Sequence, residues 1–323
     1  NGAWQEKAVI PADKPRTGGF MDLDEDVEKT LMKDFHEFAN NEDTIKDDLL
    51  FQAVKLYRLA NNVEHLDKFH QQPILKDIQR ITDLKDINDL SDKLAELSAD
   101  NFPLPIDVSI DADMKDTSTN IVYIEGADLI LPDKSYYDDD NESGKTLLKK
   151  FSEVSVKLLS MIGYDLDKAQ AIVKKALAFD KLLVPIVKSQ EEWADYTKIY
   201  NPMEFKEYIT KSNSLNLEKQ VVDLIDEAPE KVIIEEPRYL ENLNELVNAE
   251  NFENIKEWML VTYLTDNASN LDEEFRQTIG EYSLALSGAK ELKNRTKYAY
   301  HKAANIFSQV VGTYYGKKYF GQA

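Results

Sequence analysis

Apolar residues recur at helical spacing along most of this chain, and that periodicity limits the fold more than any other feature. Val27, Leu31, Phe35 and Phe38 fall at i, i+4, i+8 and i+11, and Ile87, Leu90, Leu94 and Leu97 repeat the stripe more tightly. Each such segment gives one apolar face of an amphipathic helix. The signal runs from about residue 24 to the end and changes once, between about 102 and 131. There Ile106, Val108 and Ile110 alternate, Ile121-Val-Tyr-Ile124 is β-branched and aromatic, and Asp116-Thr-Ser-Thr-Asn120 supplies a turn. The expected fold is mainly α, a multi-helix lobe with a small antiparallel β-hairpin. Pro132-Asp133, Asn201-Pro202 and Glu236-Pro237 read as boundaries or first turns of following helices. The acidic run Asp138-Asp-Asp-Asn-Glu142 reads as a solvated turn ahead of a helix that begins near Glu142. No internal repeat, low-complexity tract or flexible linker is evident.

Composition narrows the function classes. Sixty acidic residues against 39 basic ones give a formal net charge of −21, which repels phosphate backbones and anionic membrane surfaces. Nucleic acid and membrane are therefore not expected as partners. No run approaches the roughly 18 apolar residues of a membrane span, and the start of the chain lacks the basic and apolar regions of a signal peptide. A chain that begins at Asn1 without methionine is compatible with a leader already removed. The absence of cysteine rules out disulfides, thiolate metal sites and thiol nucleophiles. It fits a cytoplasmic setting, with an exported or cell-surface form as the alternative.

Five landmarks lie in a recognisable order: Asn1-Gly-Ala-Trp4 with Ile10-Pro11, then Leu129-Ile-Leu-Pro-Asp-Lys-Ser-Tyr-Tyr137, Tyr200-Asn-Pro-Met203, Val232-Ile-Ile-Glu-Glu-Pro-Arg-Tyr239 and Val311-Gly-Thr-Tyr-Tyr315. Together they resemble the N-terminal half of the neprilysin family of zinc endopeptidases, and more closely its bacterial PepO-type oligoendopeptidases. The resemblance covers essentially the whole chain. It implies a noncatalytic cap lobe that encloses a cavity with a catalytic lobe, so that short peptides enter and folded proteins do not. Zinc, its glutamate general base and the oxyanion donors would belong to that other lobe. The implied partners are short peptides and the chain's own catalytic lobe. The implied organisation is an N-terminal segment, 1–23, approaching that lobe, a helical cap, 24–296, and a connecting helix, 297–323.

The residues themselves encode no zinc peptidase site. Such a site needs two histidines one helical turn apart, a glutamate between them and a third ligand further on. The nearest match, His36-Glu37-Phe38-Ala39-Asn40, has Asn40 where the second histidine belongs. His36 and Glu37 are expected on a helix surface. His65 and His70 are five apart, about 140° around a helix, and His301 reads as a surface or capping group. A calcium loop starting at Asp139 fails because its twelfth position is Lys150. There is no Gly-x-Ser-x-Gly elbow and no glycine-rich phosphate loop. Metal and catalytic residues are expected to be absent from this chain.

One substrate contact follows from the resemblance. Arg16, in Arg16-Thr-Gly-Gly-Phe20, matches the position of an arginine that meets a peptide's C-terminal carboxylate in the family; the alternative is an ordinary solvated cation. A second arginine of the neprilysin pattern is replaced here by Asp24. Near the other end, Tyr300, Ala304, Phe307, Val311 and Tyr314 form an apolar stripe, with Gly312 and Gly316 four apart beside it. The stripe belongs either to this lobe's own core or, in part, to a docking face for the catalytic lobe. Outside the peptidase reading, the rival is a stand-alone helical binding or scaffold protein derived from such a cap.

Overall fold

The computed structural model describes residue 2 and residues 6–321. In chain order its principal elements are α1 (Gly19–Asn40), α2 (Asp48–Asn61), α3 (Val63–Phe69), α4 (Gln72–Thr82), α5 (Ile87–Ala99), β1 (Ile106–Asp113), β2 (Asp116–Gly126), α6 (Glu142–Met161), α7 (Leu166–Leu183), β3 (Asn201–Glu204), α8 (Leu217–Ile225), β4 (Lys231–Ile234), α9 (Pro237–Glu241), α10 (Phe252–Ala268), α11 (Glu273–Ser287), α12 (Arg295–Ile306) and α13 (Ser308–Tyr319), with short helical turns between some of them. The protein is mainly α with one small sheet, as its periodicity implies.

Helix starts follow a common rule. The side chains of Asp47, Asp86, Asn141, Asp165, Asp272 and Asn294 each accept a hydrogen bond from a first-turn N–H. A carboxylate there also meets the positive end of the helix dipole, so part of the acidic excess serves helix initiation. The run at 138–140 precedes such a cap, Asn141, which starts α6 as expected. Pro237 occupies the first turn of α9, with Glu236 as its cap.

The chain folds as two compact units, residues 1–71 with 269–323, and residues 72–268. In the first unit, Leu31 and Phe35 of α1 pack with Leu50, Val54 and Tyr57 of α2 and with Tyr300, Ala303 and Val311 near the C-terminus. Phe35 sits edge-on to both Tyr57 and Tyr300, at centroid distances of 5.7 and 5.5 Å. The C-terminal stripe does not lie on one continuous helix. Phe307, at φ −107° and ψ 35°, separates α12 from α13. Tyr300 and Val311 are core, whereas Ala304, Phe307 and Tyr314 are only partly buried against it. A Cβ placed on Gly312 or Gly316 would meet nothing within 4 Å, so among the described residues no close packing requires those glycines.

A buried carboxylate fastens α13. Asp34 of α1 accepts from the hydroxyls of Tyr314 (2.9 Å) and Tyr319 (2.7 Å) and pairs with Lys318 Nζ at 2.7 Å. Burial disfavours its charge, but these three donors outweigh that and hold its pKa below the usual carboxylate range.

In the second unit, α7 and α10 pack closely, with Phe179 against Trp258 at 5.2 Å. Ile87, Leu90, Leu94 and Leu97 are all buried, confirming the second stripe. The hairpin is present, but its turn is Met114-Lys115 and not the 116–120 segment, which continues β2. Asp113 sets this turn by accepting the Lys115 N–H at 2.8 Å. Two further strands join the hairpin to give the order β1-β2-β4-β3, with β2 and β4 parallel and β3 antiparallel to β4. Asn201-Pro202 thus opens an edge strand and not a helix; proline is tolerated there because an edge leaves some N–H positions unused.

Asp34→Ala removes the acceptor shared by three groups of α13 and should cost about 1–3 kcal/mol. The expected result is a lower urea midpoint with amide protection lost first over residues 308–319; unchanged protection there would show that Asp34 does not hold the helix.

Candidate functional site

The C-terminal ends of the parallel strands β2 and β4 lie side by side, Ile124 opposite Ile234, and the Glu235 N–H continues the ladder to Ile124 O at 3.2 Å. Beyond them the two chains diverge, β2 into residues 127–137 and β4 into Glu235, Glu236 and α9. A cavity of about 400 Å³ opens between them, with Glu125, Asp128, Asp133, Lys188, Trp193 and Glu235 on its walls. Two of the sequence landmarks build it.

The Leu129–Tyr137 landmark is a latch. Asp180, a buried carboxylate on α7, accepts from Ile130 N at 2.8 Å and from the Tyr137 hydroxyl at 2.6 Å, and that hydroxyl in turn accepts from Leu131 N at 3.0 Å. Asp133 accepts from Ser135 N and Gln190 N, the Gln190 amide donates to Pro132 O, and Lys134 Nζ donates to Val187 O. The loop is thereby fixed to α7 and to residues 187–190. Burial pushes the Asp180 pKa up to about 6 although its two donors oppose the shift.

The Val232–Tyr239 landmark supplies the opposite wall. Lys188 is buried, donating to Glu235 O at 2.5 Å and pairing with the Glu236 carboxylate at 3.2 Å. Arg238 holds the same carboxylate through Nε and Nη2 (3.1 and 2.8 Å) and reaches Glu192 at 3.1 Å. Burial penalises the Glu236 charge, yet Arg238 and Lys188 outweigh it and keep its pKa low. Its neighbour Glu235 has no such cation clasp: burial, then the nearby Glu125 charge, raises it to about 7. The Tyr239 hydroxyl donates to Pro105 O, and a Cβ on Gly126 would come within 2.6 Å of the Tyr239 ring, so only glycine fits there. The Tyr200–Met203 landmark supports the far side of the sheet. Asn201 bonds Ile234 O at 2.9 Å, and the Tyr200 hydroxyl donates to Asp113 at 2.8 Å.

The cavity can exchange protons through Glu235 and can hold polar groups, but its lining contains no serine, threonine, cysteine or histidine. The four histidines are separate. His36 and His65 are exposed on helices, His70 is bonded to Asp272, and His301 bonds Glu28 at 3.0 Å. His36 and Glu37 thus sit on the helix surface as expected, whereas His301 is half-buried in an ion cluster and not a simple surface group. Among the described residues no group of three or more His, Cys, Asp or Glu is placed to hold a metal ion. The donor set does not fit a zinc peptidase site. Arg16 is exposed and has no ion pair among the described residues, while the neighbouring N-terminal segment is fixed by Lys290 N and Glu291 N donating to Ala12 O. Trp4 lies outside the described residues.

The sequence reading missed Lys188, Glu235, Trp193 and the His70–Asp272 contact. The available signal for the first was the apolar run Leu182-Leu-Val-Pro-Ile-Val187 leading directly into a lysine.

The family model for peptidase family M13, in its N-terminal form, matches residues 1–323. The chain belongs to that family. It is 38% identical over 323 residues to a neutral endopeptidase of Lactobacillus helveticus, covering all of this chain and 50% of the relative. It is 35% identical to a neutral endopeptidase of Lactococcus lactis subsp. cremoris, again over all of this chain and 51% of the relative. Among solved structures, PepO from Lactobacillus rhamnosis HN001 superposes with a TM-score of 0.88 at 28% identity, over 99% of this chain and 50% of that one. The chain spans about half the length of the curated relatives it matches. No helix among the described residues is long and apolar enough to cross a membrane.

Tyr137→Phe leaves the Leu131 N–H without its acceptor and Asp180 without its hydroxyl donor, and should cost about 1–3 kcal/mol in urea unfolding. A shift no larger than that of an exposed tyrosine would contradict the latch. Glu235 and Asp180 have folded pKa values above their ordinary ones (about 7 against 4.5 and about 6 against 3.8). Their contribution is full below the ordinary values and is lost as pH rises through about 6 to 7. Glu235→Gln should therefore flatten the fall in stability between pH 5 and 7.5; an unchanged slope would show that Glu235 ionises normally.

Proposed function

We propose that this chain is the noncatalytic cap lobe of a PepO-type zinc endopeptidase that cleaves short peptides. The observation that carries this is the match of the N-terminal family model to every residue of a chain that spans half of its neutral endopeptidase relatives. In this reading the remaining half supplies the zinc ligands and the general base. The cap walls the reaction chamber, limits substrate size and excludes water. Its part is selection, not bond breaking. The cysteine-free sequence supports a cytoplasmic setting, with an exported form as the alternative.

The distribution of exposed apolar side chains supports a partner on the smaller unit. The larger unit has Ile110, Leu166 and Tyr196 more than half exposed; the smaller one, besides Leu49, has Val9, Ile10, Phe20, Leu23, Ile306 and Phe320. Residues 1–23 and 297–323, which contain these last six, are the segments we assign to the catalytic lobe's side.

Size selection is the test. A protein that joins this chain to its zinc-binding half should cleave a short peptide and spare the same sequence inside a stably folded domain; equal rates on both would contradict a size-limiting cap. Within that protein we assign Arg16 to the substrate's C-terminal carboxylate. Arg16→Ala should weaken cleavage of free-acid peptides relative to their amides, by about 1.5–3 kcal/mol if the pair is desolvated. Equal losses on both forms would make Arg16 structural.

A further inference from the structure

Arg16 carries its guanidinium on a backbone that is fastened on both sides of it. Ahead of it the chain turns, with Lys14 N donating to Pro11 O at 3.0 Å. Three consecutive residues of that turn are tied to the body of the smaller unit. Ala12 O accepts from Lys290 N and Glu291 N, both at 2.9 Å. The Asp13 carboxylate pairs with Lys297 Nζ at 2.7 Å, and Lys14 Nζ pairs with Glu25 of α1 at 3.4 Å. After Arg16, the Thr17 hydroxyl donates to the Asp22 carboxylate at 2.9 Å, and Gly18 O accepts from Asp22 N at 2.9 Å. Those two bonds join the segment to the first turn of α1. Only Pro15 separates Arg16 from the turn, and its ring fixes one more backbone angle.

Among these ties, Asp13–Lys297 rests on the deepest foundation. Both side chains are less than a fifth exposed. Lys297 also pairs at 2.8 Å with Glu28, a buried carboxylate that His301 meets from its other oxygen at 3.0 Å. Lys297 is thus held between two acids, one in the N-terminal segment and one in the core of α1. Burial penalises the Asp13 charge, yet Lys297 outweighs it and keeps the pKa below the usual carboxylate range. Arg16 itself is exposed and has no ion pair among the described residues. A fixed backbone with an unengaged guanidinium is the arrangement of a preorganised anion receptor, because the segment need not be ordered when the anion arrives.

We propose that Asp13 is a positioning residue for Arg16, and that its pair with Lys297 holds the backbone from which the guanidinium reaches a peptide's terminal carboxylate. This deepens, and rests on, the role given to Arg16 above.

Two measurements test it. In the 323-residue chain, the backbone amide order parameters of Arg16, Thr17 and Gly18 should be about 0.85 and should fall below about 0.6 in Asp13→Ala, with those of α1 unchanged. In the protein joined to its zinc-binding half, Asp13→Ala should lower the ratio of kcat/KM for a free-acid peptide to that for its amide about five- to tenfold, as expected for ordering one residue's backbone on binding. Asp13→Glu, which keeps the charge, should restore most of the ratio. In an Arg16→Ala background, Asp13→Ala should change the ratio no further, since a positioning residue acts only through the group it positions. If Arg16→Ala alone leaves the ratio unchanged while Asp13→Ala still loosens residues 16–18, the carboxylate role of Arg16 is what fails. Unchanged order parameters in Asp13→Ala, equal losses on both peptides, or a further fall of the ratio in the Arg16→Ala background would overturn the positioning role.

Discussion

A buried carboxylate on α7 governs the course of the loop that leaves β2. Among the described residues no cation acts on Asp180, so its oxygens must be satisfied by N–H and O–H donors. The Ile130 amide and the Tyr137 hydroxyl meet that demand. Because Tyr137 also accepts from Leu131 N, the loop closes on itself around the acid. With the loop fixed, Asp133 can hold Gln190 and Lys134 can reach Val187. Those contacts place Lys188 where it meets Glu236, and the cavity at the sheet's end is what remains between the two walls.

The same logic recurs elsewhere. Glu28, Asp34, Asp180, Glu236 and Asp272 are all buried. Glu28 gathers Lys297 and His301, and Lys297 also pairs with Asp13, fixing the N-terminal segment. Asp34 fastens the last helix, and Asp272 bonds His70 and caps α11. In a chain with a net charge of −21, a few acids have been moved inside to serve as nodes, each surrounded by donors drawn from distant segments. The exposed remainder keeps the surface repulsive toward other anions.

What was legible in the sequence follows from range. Stripes such as Ile87-Leu90-Leu94-Leu97 declare a buried helical face through spacing alone, and the acidic run ahead of Glu142 and the pair Glu236-Pro237 declare helix starts; these held. The hairpin was legible, but its turn was not. Asp116-Thr-Ser-Thr-Asn120 has turn composition, yet Asp113 closes the chain earlier and leaves those residues as exposed strand. The strands at 201–204 and 231–234 escaped notice because each has four residues and is stabilised by pairing that no local pattern announces. The break at Phe307 escaped because the apolar period runs through it unchanged. The landmarks were legible as an ordered set, but their work was not: Tyr137 and Asp180 are 43 residues apart, and only the fold brings them together.

The segments 129–137, 200–203 and 232–239 are thus structural knots, each tied to a distant part of its unit. The carboxyl raised to about 7 beside the cavity, Glu235, shares its lining with no serine, threonine, cysteine or histidine. Under the function we propose, such a lobe shapes a chamber and the chemistry belongs to another part of the protein. The most direct measurement is the metal content and peptide turnover of the purified 323-residue chain. The account predicts no tightly held zinc after dialysis and no cleavage. About one zinc retained per chain, with turnover abolished by substitution of a residue in this chain, would contradict it.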